Sequence, residues 1–449
     1  MASTYLTHTF SGSPTSNQKG TISFWMKRSG IGTAQHTGLK TAATAGSAGG
    51  YIGTNDQFYF YYEYAGGWDV LQTSRKFRDT SAWYHIVVNW DSTLATSGDR
   101  LQIWVNGVRE TNFADEVQPS QNETTNLGAA QAHYISTVAA GGDYFDGLMS
   151  HFYFIDGTAY SASAFGSTDA TTGAWKINTS PSVTYGNNGF FILKDGNSLT
   201  DQSGQGNNWT LGAGTLTNTE DCPSDVFATF NPLDNYWGPW TLSNGNTSAS
   251  STTGAKAYVL STLGMSKGKF YFEAKLTTNN GRSNVGIASR GAVANDDPYG
   301  STNAQNCVFK LFNGPVYGNN TEFNAFWGSA VSGNNIIGCA LDLDSTPNTI
   351  AFSIDGAWVT GSGTSDTDFS NALKVNNFTN VGSTNTGFYH FIVGDDGGSE
   401  ASAYDCNFGN GYFGTTAISS EGTNASGIGK FEHDVPTGYK ALSTKGLNE

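Results

Sequence analysis

Residues 83–107 read WYHIVVNWDSTLATSGDRLQIWVNG, and this stretch decides the fold class. Two apolar runs, 83–90 and 101–105, alternate with polar residues and flank a polar connection. Alternation with a period of two predicts strands that are buried on one face. Asn106-Gly107 favours a tight turn, because both residues tolerate positive φ angles. The stretch therefore predicts paired strands that lead through a turn into a further strand.

The same alternation recurs along the chain, and no amphipathic helical stretch of useful length interrupts it. In 58–64, Phe58 and Phe60 fall on one face and Tyr59 and Tyr61 on the other. Two further dipeptides predict tight turns, Asp156-Gly157 and Asp355-Gly356. Many short strands separated by turn signals are typical of β-sandwiches and barrels. We therefore expect an all-β protein.

Composition excludes several classes of protein. The 449 residues carry a net charge of −15, with 13% charged and 13% aromatic residues. A chain so poor in Lys and Arg lacks the basic surface of a nucleic-acid binder. Its apolar runs are too short for membrane insertion, and its four cysteines form no C-x-x-C pair that would indicate a zinc site. We expect no nucleic-acid partner and no membrane insertion.

Turn-forming residues indicate a seam between two domains. A Gly-, Asn- and Ser-rich stretch at 195–208 is followed by Cys222-Pro223, and such clusters mark loops. We therefore predict a first domain at 1–215, a seam at 216–227 and a second domain at 228–449.

A tripeptide that occurs in both halves of the chain suggests that the two domains share one hairpin architecture. Asp91-Ser92-Thr93 and Asp344-Ser345-Thr346 each follow an apolar strand and precede another strand. The loops that contain the tripeptide differ in length, so the two segments are not a sequence repeat. The shared tripeptide predicts two related sandwiches.

The first half resembles a laminin-G-like or concanavalin-like lectin module, through 83–88, 101–107 and GLMS at 147–150. The second half resembles a SPRY domain, itself a concanavalin-like sandwich. The segments that carry this second resemblance are GKFYFE at 268–273, VGI at 285–287, IGCALDLD at 337–344, 350–356 and 407–409. Together these resemblances imply two concanavalin-like β-sandwiches, of jelly-roll type, in tandem.

The order of the two modules is similar to that in virion proteins of marine tailed phages. The segments that carry this resemblance are SFWMKRS at 23–29, DQSGQGNNW at 201–209, ATFNPL at 228–233 and GYKAL at 438–442. It implies a virion-surface location, with other virion proteins and a glycan or host surface as partners. A symmetric homo-oligomer is a reasonable prior for a virion part, and we favour a trimer.

The start of the chain bears on location and attachment. Residues 1–5 lack a basic segment and an apolar core, so we expect no secretory signal and synthesis in the host cytoplasm. Lectin-like residues begin almost at Met1, so we expect no separate anchor domain before them. That expectation favours a head-decoration or accessory protein, while an appendage and a tail fibre stay open.

A concanavalin-like fold can also support a glycosidase, which needs paired carboxylates. The family's E-x-D-x-x-E strand has no counterpart here, and Asp342 with Asp344 suits hairpin support. GMSKG at 264–268 matches G-x-S-x-G, but a strand-like run follows it where a nucleophile elbow needs a helix. We expect no enzyme. A glycanase (polysaccharide depolymerase) and a cellular SPRY-type adaptor remain the alternatives.

Two acidic segments supply oxygen atoms that suit calcium, namely 295–297 and 395–397. Neither has EF-hand spacing, and turn formation explains both. We expect no metal or cofactor, with calcium as an unsupported alternative.

Aromatic side chains beside amides and carboxylates suit sugar binding, because an apolar sugar face stacks on a ring. The predicted carbohydrate-binding residues are Trp68, Asp69, Tyr317, Asn319, Asn320 and Trp327. The alternative for each aromatic is packing in the core or at a strand edge. We predict that Tyr236, Trp237 and Trp240 form a contact between domains or with a neighbouring subunit.

Overall fold

The computed structural model describes residues 3–42, 47–64, 67–138, 141–194, 196, 198–252, 256–279, 281–290, 305–311, 314–318, 321–323, 331–397 and 401–448. The chain divides into two compact units. The first domain comprises 1–218 with 222–224, and the second comprises 219–221 with 225–449.

The first domain is built from short strands and two 3-10 turns, Ser97–Asp99 and Ala162–Ala164. The strands are β1 Tyr5–Thr9, β2 Lys19–Arg28, β3 Gln35–His36, β4 Leu39–Thr41, β5 Ala48–Ile52, β6 Gln57–Tyr64, β7 Gly67–Lys76, β8 Trp83–Asp91, β9 Leu101–Val105, β10 Val108–Arg109, β11 Phe113–Val117, β12 Ala132–Ile135, β13 Gly147–Asp156, β14 Gly166–Thr168, β15 Trp175–Ile177, β16 Phe190–Ile192 and β17 Thr210–Ala213.

These strands form two main antiparallel sheets, ordered β10-β9-β8-β2-β13-β16 and β11-β7-β6-β5-β3. Smaller sheets, β17-β1-β12-β4 and β14-β15, accompany them. Their inward-facing side chains form one core. Phe60 of β6 lies 6.2 Å from Trp90 of β8, ring centre to ring centre, and thereby joins the two main sheets. The first domain is therefore a β-sandwich.

The outer face of the six-stranded sheet is covered by the chain that follows β13. Trp25, His85 and Trp175 stack in that order, with ring centres 4.8 and 5.9 Å apart. Gly107 allows this cover, because a Cβ atom there would lie 2.3 Å from the Trp175 ring. Strand β2 is therefore buried on both faces, and all its residues after Lys19 are buried.

Two of the three predicted tight turns are confirmed by their backbone angles. Asn106-Gly107 has φ values of 47° and 79°, and Asp355-Gly356 has the same values. The prediction for Asp156-Gly157 was wrong. Only Gly157 has a positive φ, and the Asp156 carboxylate instead accepts the backbone N–H of Thr15 at 2.7 Å.

The second domain also consists of short strands, with two 3-10 turns, Phe369–Asn371 and Val381–Ser383, and the short helix α1 Thr444–Asn448. Its strands are β18 Phe230–Trp237, β19 Thr241–Ser243, β20 Ser248–Ser250, β21 Lys256–Ser261, β22 Lys269–Thr278, β23 Ser283–Ala288, β24 Asn306–Lys310, β25 Val316–Gly318, β26 Thr321–Phe323, β27 Ile336–Asp342, β28 Thr349–Ile354, β29 Ala357–Val359, β30 Ser365–Asp366, β31 His390–Asp396, β32 Ala403–Asn407, β33 Tyr412–Phe413, β34 Thr416–Ala417 and β35 Lys440–Ala441.

Two large sheets again face each other, ordered β18-β21-β31-β23-β24-β25-β26 and β19-β20-β32-β22-β27-β28-β29-β30. Strand β35 adds to β22 in parallel, and β33 pairs with β34. Phe272 of β22 packs on Phe391 of β31 at 4.7 Å, and Phe309 of β24 packs on Phe352 of β28 at 5.4 Å. The predicted all-β fold with two β-sandwiches in tandem is confirmed.

A buried carboxylate anchors the chain after β34 to the outer face of β22. Glu273 is fully buried and accepts the backbone N–H groups of Glu432 and His433 at 3.0 and 2.9 Å. Tyr271 and Asn407 also donate to it, at 3.2 and 3.3 Å. Among the described residues, no helix is long and apolar enough to cross a membrane.

Candidate functional site

The outer face of the five-stranded sheet in the first domain forms an open cleft of about 740 Å³. The strand register explains its lining, since directly paired residues point to the same face. Tyr51 pairs with Tyr59 and with His36, and Glu63 pairs with Trp68. The lining residues are Ala34, His36, Ser47, Tyr51, Tyr61, Glu63, Gly67, Trp68 and Asp143.

Three aromatic rings line this cleft, and a fourth, Tyr59, stacks on one of them. Tyr51 stacks on Tyr59 with ring centres 4.5 Å apart and an angle of 12° between the ring planes. Tyr61 meets Tyr51 edge-on at 5.8 Å and Trp68 edge-on at 6.3 Å. Trp68 is 56% exposed, so much of its ring faces solvent. The arrangement offers flat apolar surface to a ligand that enters the cleft.

Polar groups border this aromatic surface. The Lys40 ammonium lies 5.4 Å from the centre of the Tyr61 ring and donates to Ser47 Oγ. Burial, and then the Lys40 charge, lower the pKa of His36 to about 4, so His36 is neutral at physiological pH. Glu63 and Asp143 are exposed. The cleft therefore combines aromatic faces with hydrogen-bonding groups at its rim.

The structure separates the two residues that the sequence analysis paired here. Trp68 lines the cleft, but Asp69 alternates to the opposite face of β7 and is only 2% exposed. Burial, and then the Glu123 charge, raise the pKa of Asp69 to about 7. Asp69 therefore lies behind the cleft surface that Trp68 forms.

The second group of predicted sugar-binding residues lies in the other domain. Tyr317 is on β25, where its hydroxyl donates to Glu322 at 2.7 Å and Lys310 lies over its ring at 5.8 Å. Asn319, Asn320 and Trp327 lie outside the described residues.

The three residues predicted to form a contact between domains or subunits have different environments within the second domain. Tyr236 donates to Asp234 at 2.5 Å and packs on a small apolar cluster. Trp237 is 59% exposed and has a φ of 71°, which is rare for a bulky residue. Trp240 belongs to the main core and lies 6.2 Å from Tyr404.

The sequence analysis missed most of the cleft. Tyr59 and Tyr61 carried a signal, since they alternate with the core residues Phe58 and Phe60. His36 and Asp143 carried none. They meet because the backbone N–H of His36 donates to the Asp143 carbonyl at 2.7 Å, which joins two distant parts of the chain.

The candidate catalytic carboxylates of the second domain support a turn. Asp342 accepts the backbone N–H of Asp344 at 2.9 Å and pairs with Lys269 at 3.0 Å. Asp344 accepts the backbone N–H of Gly268 at 2.8 Å. Strand β22 begins directly after GMSKG, so this segment lacks the helix of a nucleophile elbow.

Of the two acidic segments considered for calcium, the structure describes the one at 395–397. Residues 295–297 lie outside the described part of the chain. Asp395 is fully buried and accepts the backbone N–H of Gly397 at 2.9 Å. It also accepts a hydrogen bond from the Ser251 hydroxyl. Asp396 pairs with Lys256 at 3.1 Å. Within the described residues, no group of three His, Cys, Asp or Glu side chains is placed to hold a metal ion.

The comparisons with known proteins concern the fold. Among solved structures, the SPRY domain of human HERC1 is 18% identical, with a TM-score of 0.29, and the match covers 39% of this chain and 96% of that domain. A heptameric SAP-like pentraxin from Limulus polyphemus is 12% identical, with a TM-score of 0.28. The match covers 48% of this chain and 90% of the pentraxin chain. A putative carbohydrate-binding protein from Bacteroides ovatus is 16% identical, with a TM-score of 0.28. The match covers 48% of this chain and 60% of that protein.

At these scores the likenesses say nothing about the ligands or activity of this chain. No curated protein matches the sequence significantly. A family model does match: Laminin_G_3, the concanavalin A-like lectin/glucanases superfamily, aligns with residues 2–164. The matched segment spans β1 to β13 and therefore includes the strands that build the aromatic cleft.

Proposed function

We propose that the protein is a non-enzymatic carbohydrate-binding protein of a virion surface and that the cleft of the first domain holds the glycan. The observation that carries the proposal is the aromatic lining of half-buried Tyr51 and Tyr61 with exposed Trp68, on a segment that matches a lectin/glucanases family model. Sugar rings present apolar faces to such surfaces and hydroxyl groups to the polar groups around them.

The contrast between the two outer sheet faces of the first domain supports this site. Trp175, Phe165 and Tyr160 pack over the six-stranded sheet, whereas the five-stranded sheet leaves Trp68 exposed. Its cleft falls within the range of ligand sites, about 300–1,000 Å³. A rigid sheet that holds several rings in place limits the conformational entropy lost when a ligand binds.

The virion placement rests on the resemblance of 23–29, 201–209 and 228–233 to segments of phage virion proteins. In this proposal the chain is made in the host cytoplasm and joins other virion proteins at the particle surface as a homo-oligomer, with a trimer preferred. It uses no cofactor. Mass spectrometry of purified particles should find the chain in stoichiometric amounts. Its recovery only from the infected-cell cytoplasm would instead favour a SPRY-type adaptor.

A glycanase is the second candidate, because Glu63 and Asp143 line the same cleft. Glycoside hydrolysis needs two carboxyl groups, one of which must stay protonated as the general acid. Apolar surroundings usually provide this, whereas both carboxylates here are exposed. Release of reducing sugar that Glu63→Gln abolishes would establish the glycanase. We expect no release from the wild-type protein.

Glycan binding is tested by applying the full chain, at its native oligomeric state, to a glycan array. Trp68→Ala should weaken binding at least about tenfold, as truncation of a central tryptophan does at other binding sites. Phe388→Ala is the matched control, since Phe388 is an aromatic residue that is 44% exposed and lies in the other domain. An array blank for the wild-type protein, or equal binding by Trp68→Ala, would refute the proposal.

A further inference from the structure

The charges around the cleft are unbalanced. Glu63 and Asp143 are exposed and line it, and the lining includes no Lys or Arg. Within the described part of the chain, no Lys or Arg forms an ion pair with either carboxylate. A ligand on the aromatic surface would therefore meet negative charge at the rim.

One buried cation beside the cleft, Lys40, offsets part of this charge and leaves two carboxylates against one ammonium. Lys40 is 7% exposed, and its ammonium is held between the Tyr61 ring and Ser47. It can therefore not reach out to pair with an acidic group on a glycan. His36, the other basic group of the lining, is neutral at physiological pH because burial and the Lys40 charge disfavour its protonation.

We infer that the cleft selects uncharged glycans and disfavours acidic ones, such as sialylated, uronate-containing or sulfated chains. This inference rests on the proposed function and assigns its ligand class. The aromatic faces need no charge on the ligand, while each carboxylate at the rim repels an anion. The net charge of −15 adds long-range repulsion of the same sign.

The expected size of the effect follows from Coulomb's law. One excess carboxylate about 7 Å from an anionic group in water weakens binding roughly threefold at low salt. Salt screens exposed charges, with a Debye length of about 30 Å at 0.01 M ionic strength and about 3 Å at 1 M. The discrimination should therefore be largest at low salt and nearly vanish at high salt.

The test uses a glycan array of matched pairs, each a neutral glycan and its sialylated or sulfated derivative. The best neutral glycan and its acidic partner are then titrated by calorimetry at about 0.01 M and about 1 M ionic strength. The variant Glu63→Gln/Asp143→Asn removes both charges at the cleft. Glu421→Gln, an exposed site in the second domain, is the control for a charge change elsewhere.

Tighter binding of the neutral member by about threefold at low salt, with the preference lost at high salt and in the double variant, is the expected result. Equal or tighter binding of the acidic member at low salt would overturn the inference while leaving glycan binding intact. A ratio unchanged in the double variant would also overturn it, since the carboxylates would then not be the cause. An array on which neither member of any pair binds would refute the proposed function and the inference with it.

Discussion

The indole N–H of Trp175 donates a hydrogen bond to Nδ1 of His85 across 2.9 Å. An indole N–H can only donate, so Nδ1 must be the acceptor. Burial, and then the nearby His151, lower the pKa of His85 to about 3, and the ring is therefore neutral. Its one proton resides on Nε2 and is donated to Ser23 Oγ, 2.9 Å away. This Ser–His pair has the spacing of an activated nucleophile, but its histidine cannot act as the base for Ser23.

Replacing Trp175 by Phe should show that this hydrogen bond stabilises the first domain. The variant keeps an aromatic ring over His85 but leaves Nδ1 as a buried acceptor without its donor. We expect the free energy of unfolding to fall by about 1–3 kcal/mol in a denaturant titration of the full chain. Trp68→Phe, at an exposed tryptophan, should change it by less than about 0.5 kcal/mol. Equal effects of the two variants would contradict the prediction.

Acid should destabilise the first domain through its buried histidines. Burial lowers the pKa of His36 to about 4, of His85 to about 3 and of His133 to about 4. The unfolded chain takes up these protons near pH 6.5 and the folded domain does not, so the contribution of the histidines to stability is full above pH 6.5 and falls below it. Buried Asp69, whose pKa is raised to about 7, titrates with the opposite sign and offsets part of the loss. The loss approaches about 1.4 kcal/mol per pH unit for each histidine.

Hydrogen exchange of the β2 and β8 amides, corrected for the intrinsic pH dependence of exchange, measures this loss between pH 7 and 4.5. A His133→Gln variant should show a shallower decline with falling pH, because one titrating group is gone. Protection that stays constant over this interval in the wild-type protein would show that the histidines are not the cause.

Two arginines around the buried Asp56 should make it far more sensitive to substitution than an exposed acid. Asp56 accepts hydrogen bonds from Arg28 Nη1 at 3.0 Å, Arg78 Nε at 2.7 Å and the backbone N–H of Gly32 at 2.8 Å. Burial acts to raise the pKa of Asp56, but these bonds outweigh it and the pKa lies below its usual value. Asp56→Asn leaves the fully buried Arg28 charge unpaired, at an expected cost of about 3–5 kcal/mol in stability.

The control is Asp99→Asn, at the 3.0 Å pair between Asp99 and Arg109, whose side chains are 43% and 37% exposed. An exposed pair contributes at most about 1 kcal/mol. Chemical denaturation of both variants compares the two sites directly. If Asp56→Asn costs no more than Asp99→Asn, the ion pairs of Asp56 do not stabilise the fold as argued.

Glu273 should give the second domain a pH dependence of opposite sign. Burial raises the pKa of Glu273 to about 7, against the opposing effect of the amides of Glu432 and His433. The folded state then holds a proton that the unfolded state has released. Its contribution is therefore full below about pH 4.5 and is lost as the pH rises to 7. Hydrogen exchange of the β22 amides measures this pH dependence. The histidines titrate alike in the wild-type protein and in each variant, so the difference between variants reports on Glu273.

Glu273→Gln should remove this component, because the amide does not titrate. It should also destabilise the domain by about 1–3 kcal/mol, since an amide N–H₂ then faces backbone donors. Glu421→Gln, at an exposed acid of the same domain, should leave both the pH profile and the stability unchanged. A Glu273→Gln profile parallel to that of the wild-type protein would refute the assignment.

Local pattern predicted the elements well where one chemical requirement dominates. Asn106-Gly107 and Asp355-Gly356 form tight turns because both positions need positive φ angles, which these residues tolerate. The shared tripeptide at 91–93 and 344–346 lies in a hairpin in both domains, since β8 pairs with β9 and β27 pairs with β28. Asp156-Gly157 failed because the Asp156 carboxylate binds backbone N–H groups elsewhere in the domain, which sequence does not show.

Local sequence patterns suffice to predict an all-β protein of two sandwiches, because period-two alternation and turn residues act over a few positions. They also single out Trp68 as a candidate sugar-binding residue. That Trp68 joins Tyr51 and Tyr61, and that Asp69 turns away from them, became visible only in the folded domain. Strand register and the cover over the six-stranded sheet fix which face stays open. Those features depend on packing between residues far apart in the chain, and no local pattern encodes them.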